Sequence, residues 1–460
     1  MPSDIETCRV HHPTVDAVAG WCGSVVNMAN TILGAGVLAM PHAIASTGIV
    51  FGVATIVFAG FTSAMGLYLL SRCATKAERG QASFFAIANK TYPSAAVIFD
   101  IAIALKTFGV GVSYLIIIGD LMPQISLSIA GLSDFPVFQD RQFWITACMM
   151  IIIPLSFLRR LDSLRYTSVI ALISVGYLVC TVTAHYIIGD TIQDRGPINI
   201  IAWKGPVQFI SAVPIFVFAY TCHQNVYYVT ESRLTTDFLY CHKRDRYVDR
   251  SFGRPVSCCR PGRIFIFWRQ RGWKYYLNVY GPSRVAAKTP DKPSLASTIG
   301  RTAIVLLVLF SFPLQAHPCR ASLEHIIMWR PQMFLKSHNA ATPRHTRSEC
   351  RFALLTSIIL VCSYAVSMTV TSLERVLAFV GATGSTAISF ILPGLFYWKL
   401  MSPYELIGQH DEREDVDGPD CVYQKGQRGL RRVALFLAAY GVFVMVVTFT
   451  LNLVGVGLGH

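Results

Sequence analysis

The stretch Ser24-Val-Val-Asn27-Met-Ala-Asn30-Thr31-Ile-Leu-Gly34-Ala35-Gly36-Val-Leu-Ala-Met40-Pro41 lies within an apolar run covering residues 21–45. A bilayer core about 30 Å thick is crossed by roughly 20 apolar residues in a helix, so the run is long enough to span. Gly34 and Gly36 flank one alanine in the middle of it, and each weakens a helix by about 1 kcal/mol relative to Ala. A helix broken there exposes backbone N–H groups at the start of one half and carbonyls at the end of the other. Those groups hold an anion and a cation respectively. The same small residues also permit close packing of neighbouring helices, and spacing alone leaves both readings open.

The rest of the chain repeats the apolar signal. It is 460 residues long and 53% hydrophobic, and only 14% of it is Asp, Glu, Lys or Arg, against about 25% charged in soluble domains. Ten spans are predicted, at about 21–45, 48–71, 94–124, 142–158, 164–189, 206–227, 297–316, 352–371, 376–399 and 432–456. This is an all-α polytopic membrane protein with the bilayer as its partner. The formal charge of +14 suggests nucleic acid, but Lys and Arg cluster between apolar runs, as in cytoplasmic loops. Arg72, Lys76, Arg79 and Lys90 follow the second span, and Arg159, Arg160 and Arg165 follow the fourth, which places the N-terminus in the cytoplasm. Residues 1–20 form a cytoplasmic tail without the apolar core of a signal peptide. The thirteen Cys show no CxxC spacing, so no metal site, disulfide framework or cofactor is expected.

The alternation then fails. Residues 229–296 form a basic segment with Arg246, Arg250, Arg260 and Arg263, and residues 317–351 are basic too, with Arg320, Arg330 and Arg347. One span, 297–316, separates them, so both cannot be cytoplasmic. Parity demands a further crossing between about 231 and 296, where the best apolar run, Ile264 to Trp268, is too short. The chain thus divides into a first half, 21–228, the aberrant segment, and a second half, 297–460.

A second interruption stands out in the sixth span: Pro214-Ile-Phe216-Val-Phe218-Ala219-Tyr220-Thr221-Cys222-His223-Gln224-Asn225. So dense a polar run is costly in lipid unless it faces a cavity or lies beyond the membrane edge. Interruptions in the first and sixth spans are the signature of two inverted five-helix repeats with a site at the midplane.

These residues resemble the amino acid/auxin permease family, fungal vacuolar amino-acid transporters in particular. Asn30-Thr31-Ile-Leu-Gly34-Ala35-Gly36 carries the resemblance, together with Phe108-Gly-Val-Gly111-Val-Ser-Tyr114 and Phe218-Ala-Tyr-Thr-Cys-His223-Gln-Asn225. So do Leu309-Phe-Ser311-Phe-Pro313-Leu-Gln315-Ala-His317-Pro-Cys319-Arg320 and Ser372-Leu-Glu374-Arg375, continuing to Gly381-Ala-Thr383-Gly384-Ser385-Thr386. The resemblance implies a leucine-transporter-like 5+5 inverted repeat plus one extra helix, and secondary active, proton-coupled amino-acid transport across the vacuolar membrane. Sodium, used by more distant relatives, is the alternative coupling ion. The likeness lapses over about 229–294, where family members place their seventh helix, so that helix reads as missing or scrambled. A shifted reading frame or misassigned exon explains this; a lineage-specific loop is the alternative.

Within this resemblance, Gly34, Ala35 and Gly36 are candidates for the substrate's carboxylate and amine, and Tyr220, Thr221 and Cys222 for its side-chain pocket. Asn30 and Ser311 match the positions of a cation site. Lys106, costly in lipid, and His223, able to titrate near vacuolar pH, are further ion-coupling candidates. Lys106 can also snorkel, and His223 can be a neutral hydrogen-bonding group. Thr383 to Thr386 suit helix packing. The rival readings are an amino-acid sensor without transport and a nonfunctional product of a misread gene. An enzyme is not expected, since no nucleophile, metal-ligand or paired-carboxylate cluster is present.

Overall fold

The structure, a computed structural model, describes residues 21–77, 83–129, 134–158, 165–188, 205–227, 295–328, 349–401 and 420–457. Its regular elements are all helical. Apolar composition dictates this, because helices satisfy their backbone internally where no water is available. The first span is split into α1 (Trp21–Ile32) and α2 (Ala35–Thr47). Gly48, at φ 78°, turns the chain back into α3 (Ile49–Ala74). A short helix, α4 (Phe84–Thr91), precedes α5 (Ala96–Leu127). Then come α6 (Arg141–Ser156), α7 (Arg165–Ile188) and α8 (Pro206–Ala219). The second half contains α9 (Leu295–Met328), α10 (Glu349–Thr369), α11 (Leu373–Val380), α12 (Leu392–Leu400) and α13 (Asp420–Gly457). Two π-helical segments, Gly381–Ser385 and Ala387–Ile391, join α11 to α12.

Seven helices among the described residues are long and apolar enough to cross a membrane; α6 and part of α7 are shorter apolar helices. Lipid-facing side chains such as Val57, Phe61, Met150, Phe436 and Phe443 are exposed. The segment 229–294, where the sequence leads one to expect a missing or scrambled seventh helix, lies outside the described residues.

Side-chain contacts fix the direction of each span. The end of α3 (Leu69, Leu70, Cys73) packs with α4, the start of α5 (Ala96) and the end of α12 (Phe396, Tyr397), so α3 and α12 oppose α5. Phe51 meets Phe209 at 6.5 Å between ring centroids, and Ser63 Oγ donates to Tyr220 O at 3.0 Å, so α8 runs parallel to α3. Asp100 at the start of α5 lies 3.6 Å from His325 near the end of α9, and Cys319 Sγ reaches Ala104 O, so α9 opposes α5. At the other face Arg141, opening α6, bonds Asp120 near the end of α5 and Ser367 O near the end of α10. Asn30 links Ser168 at the start of α7 to Ser311, whereas Leu178 lies near Gly300, so α7 opposes α9.

Counting one place for the undescribed residues 228–294, four described spans of the first half therefore run opposite to their counterparts five places later: α1–α2 and α8, α5 and α9, α6 and α10, α7 and α11–α12. That is the inverted repeat expected from the two interruptions. The same directions show α8 and α9 running the same way across the bundle.

Two sequence expectations need correction. The span predicted at 297–316 does not end there but continues as α9, through Pro313 and Pro318, to Met328. Arg320, assigned to a basic loop, is buried inside it. Its guanidinium donates to Thr356 Oγ1 (3.0 Å) and Ser156 O (3.4 Å) and lies 4.0 Å above the Phe352 ring. Hydropathy marks a charge as loop, but these partners from α6 and α10 replace the water it loses. Likewise the basic stretch after α3 contains α4, whose Phe84, Ile87, Ala88 and Thr91 are buried at helical spacing.

Candidate functional site

The chain leaves helical geometry at Leu33 and Gly34, where Gly34 takes φ −76° and ψ −139°, and α2 begins at Ala35. The end of α1 and the start of α2 therefore present carbonyl and N–H groups that lack intrahelical partners. Close approach explains the glycines. A Cβ on Gly34 would meet the Tyr114 hydroxyl at 2.6 Å, and one on Gly36 would lie 2.5 Å from the Ala219 Cα. The first interruption is thus pressed against the last residue of α8.

The second interruption begins there. After Ala219 the helix tightens, with Tyr220 N donating to Val217 O (3.3 Å) and Thr221 N to Phe218 O (3.0 Å). A short 3₁₀ turn, His223–Asn225, follows. The sequence left open whether this polar run lies beyond the membrane edge; Thr221, Cys222 and His223 are buried, at 2%, 0% and 0% exposure, and Tyr220 is half-buried. Asn225 Nδ2 donates to Thr31 Oγ1 at 2.9 Å, tying the second interruption to the end of α1.

Neighbouring helices supply what the opened backbone lacks. Lys106 from α5 is 2% exposed, and its ammonium donates to Thr221 O at 3.5 Å. A cation at the C-terminal end of a half-helix meets the negative end of its dipole. Gly384 lets α5 come this close, since a Cβ there would meet the Ala102 carbonyl and Lys106. Ser63 Oγ donates to Tyr220 O. His223 Nε2 lies 3.1 Å from Ser63 O, and its Nδ1 lies 3.2 Å from Ser389 Oγ, which in turn is 3.0 Å from Thr221 Oγ1.

Asn30 and Ser311, matched from distant parts of the sequence, are brought together: Ser311 Oγ donates to Asn30 Oδ1 at 3.1 Å, sharing its proton with Leu307 O at 2.6 Å. Asn30 Nδ2 donates to Ser168 Oγ. The structure thus gathers Gly36, Thr221, Cys222, Lys106 and His223 around the α8 interruption, and places Asn30 with Ser311 at the end of α1. Sequence reasoning missed Ser389, Ser63, Gly66 and Ser168. Single small polar residues in apolar helices carry no pattern of their own; the nearest signal for Ser389 was the small polar run Thr383–Thr386 one turn before it. Among the described residues there is no group of three or more His, Cys, Asp or Glu able to hold a metal.

Fold and site together define a helical membrane protein of inverted-repeat type, with two interrupted spans meeting inside the bundle. The family described as transmembrane amino acid transporter protein matches residues 17–232 and 283–408, and the chain belongs to that family. A Schizosaccharomyces pombe protein named vacuolar amino acid transporter 5 is 41% identical over 95% of this chain and 94% of its own length. Saccharomyces cerevisiae proteins named vacuolar amino acid transporter 5 and 6 are 38% and 36% identical, covering 82% and 84% of this chain and 88% and 91% of theirs. A solved structure of a sodium-coupled sialic acid symporter aligns with a TM-score of 0.38 at 13% identity, over 95% of this chain and 90% of its own. The family match omits residues 233–282, inside the segment where the sequence motifs lapse.

Proposed function

We propose that this protein is a secondary active transporter that moves amino acids across the vacuolar membrane by alternating access, coupled to protons. The observation that carries the reading is the meeting of two interrupted helices of opposite direction, Gly36 against Ala219, with buried polar groups lining the second interruption. Backbone N–H groups opening α2, at Gly34, Ala35 and Gly36, suit a substrate carboxylate, because the helix dipole adds to their hydrogen bonds. Tyr220, Thr221 and Cys222 line the side-chain end. Lys106 and His223 provide the titratable groups for coupling; Asn30 and Ser311 offer neutral oxygens, one of them already engaged with the other. The names of the yeast relatives support amino acids as substrates and the vacuole as the location.

The experiment is uptake of labelled amino acids by vesicles containing the purified chain, with and without an imposed pH gradient. Uptake that the gradient drives and that its collapse abolishes is expected. Saturable binding without flux overturns transport in favour of a sensor, and neither binding nor flux favours a defective product.

A further inference from the structure

The hydrogen-bond chain beside the α8 interruption is short of one proton. Its first link is His223 Nε2 to Ser63 O, at 3.1 Å. A backbone carbonyl only accepts, so Nε2 carries a hydrogen, and Nδ1 of a neutral ring is left as an acceptor. Three further contacts lead away from Nδ1: to Ser389 Oγ at 3.2 Å, from there to Thr221 Oγ1 at 3.0 Å, and from there to Val217 O at 2.8 Å. Both ends of this path, Nδ1 and Val217 O, are acceptors. The two hydroxyls between them bring two protons for three links, so with a neutral ring one pair of oxygen or nitrogen lone pairs faces another at hydrogen-bond distance. A proton on Nδ1 completes the path, with each group donating to the next, from His223 to Ser389 to Thr221 to Val217 O.

We propose that His223 Nδ1 is the loading site for the coupling proton, and that Ser389 is the positioning residue linking that proton to the geometry of the α8 interruption. The inference rests on the transport reading and deepens it. Three elements hold the arrangement in place. Ser389 sits in a π-helical segment, where the wider turn displaces side chains from α-helical register. His223 heads the 3₁₀ turn after the interruption. Gly66 on α3 lets both approach, since a Cβ there would collide with Ser389 O and stand 2.9 Å from His223 Nε2. Movement of the interruption against the π segment separates Thr221 and His223 from Ser389 and removes the partner that the added proton needs. Among the described residues, Lys106 on α5 is the charged group acting on the ring and Cys222 adjoins it in sequence, while Tyr227, one turn further along the chain, interacts with Cys73 of α3.

Infrared difference spectroscopy on the purified full-length chain, titrated from about pH 8 to about pH 4, tests the site directly. The expected result is an imidazole-to-imidazolium change that His223→Gln abolishes. Ser389→Ala removes the conflict of the neutral state, so its midpoint should fall by about one pH unit, whereas Ser389→Thr keeps the hydroxyl and the midpoint. A titration that His223→Gln leaves intact, or a Ser389→Ala midpoint that stays or rises, overturns the proposal. Should Ser389→Ala not fold, Ser389→Cys, a weaker acceptor for the Nδ1 proton, must show the same downward shift, and an unshifted midpoint again overturns it. Exchange of a mixture of labelled amino acids across vesicles of the same preparations separates the two readings. Exchange absent beside an intact titration overturns transport and leaves the proton site standing; exchange indifferent to pH beside that titration overturns the coupling role.

Discussion

At the scale of single residues, Gly36 and Arg320 show how one side chain reads differently in sequence and in structure. The sequence leaves Gly36 open between helix breaking and helix packing; the break falls at Leu33 and Gly34, and Gly36, the second residue of α2, does the packing, touching the backbone of Ala219. The atom facing it is main chain and cannot rotate away, so Gly36→Ala must push α2 from α8. The expected outcome is a loss of amino-acid flux together with about 1–3 kcal/mol of stability, measured by vesicle uptake and thermal denaturation. Arg320 was legible as a charge but not as a buried one. Arg320→Ala strips Thr356 and Ser156 of their shared donor and leaves a hole under Phe352, for an expected loss of about 2–4 kcal/mol. Arg320→Lys should recover only part, since an ammonium lacks the plane that stacks and the fork that bonds two acceptors; full recovery in a melting experiment would contradict this account.

At the scale of elements, the interruptions do the positioning. The breaks after Ile32 and Ala219 were visible as Gly34-Ala35-Gly36 and as a polar run, because helix propensity and the cost of polar groups in lipid are local properties. The π segments between α11 and α12 were not visible: Thr383 to Thr386 reads as a packing face, and nothing in residue type announces a wider turn. Thr386 Oγ1 donates to Gly381 O at 2.7 Å, five residues back, which fits this winding. Because a π turn holds one residue more than an α turn, deleting Thr386 should restore α-helical winding and rotate everything before it by about 100° relative to α12. Gly384, on the rotated side, would then lose its seat against Lys106 and the Ala102 carbonyl. The expected outcome is a chain that still inserts, by protease protection, but loses pH-dependent exchange; unchanged exchange would mean the π winding has no part in the site.

For the whole molecule, the informative feature is that α8 and α9 run in the same direction. Two such spans have their starts on one face and their ends on the other, so Val207 and Leu295, both exposed, belong to the same side of the membrane. Introducing cysteine at each position in a cysteine-depleted background should give labelling by an impermeant maleimide from one and the same side. Labelling from opposite sides would contradict the inverted repeat. The parity argument from basic loops reaches the same requirement by a different route. Sequencing the transcript across codons 229–294 tests the frame-shift reading, and an in-frame message encoding these residues would end it.

Taken by itself, the sequence determined the membrane class, eight of the ten span positions to within a few residues, the two places where a span can be interrupted and the family resemblance. Each of these is written locally, in apolar run length, glycine spacing or short motifs. Only the tertiary structure decided that Lys106 caps the opened end of α8, that Ser389 meets His223, and that Arg320 lies inside a helix. Those facts depend on which faces of distant helices meet. In a bundle whose every helix is apolar, hydropathy does not distinguish the face turned to lipid from the face turned to a neighbour; only close packing and the pairing of buried polar groups choose between them.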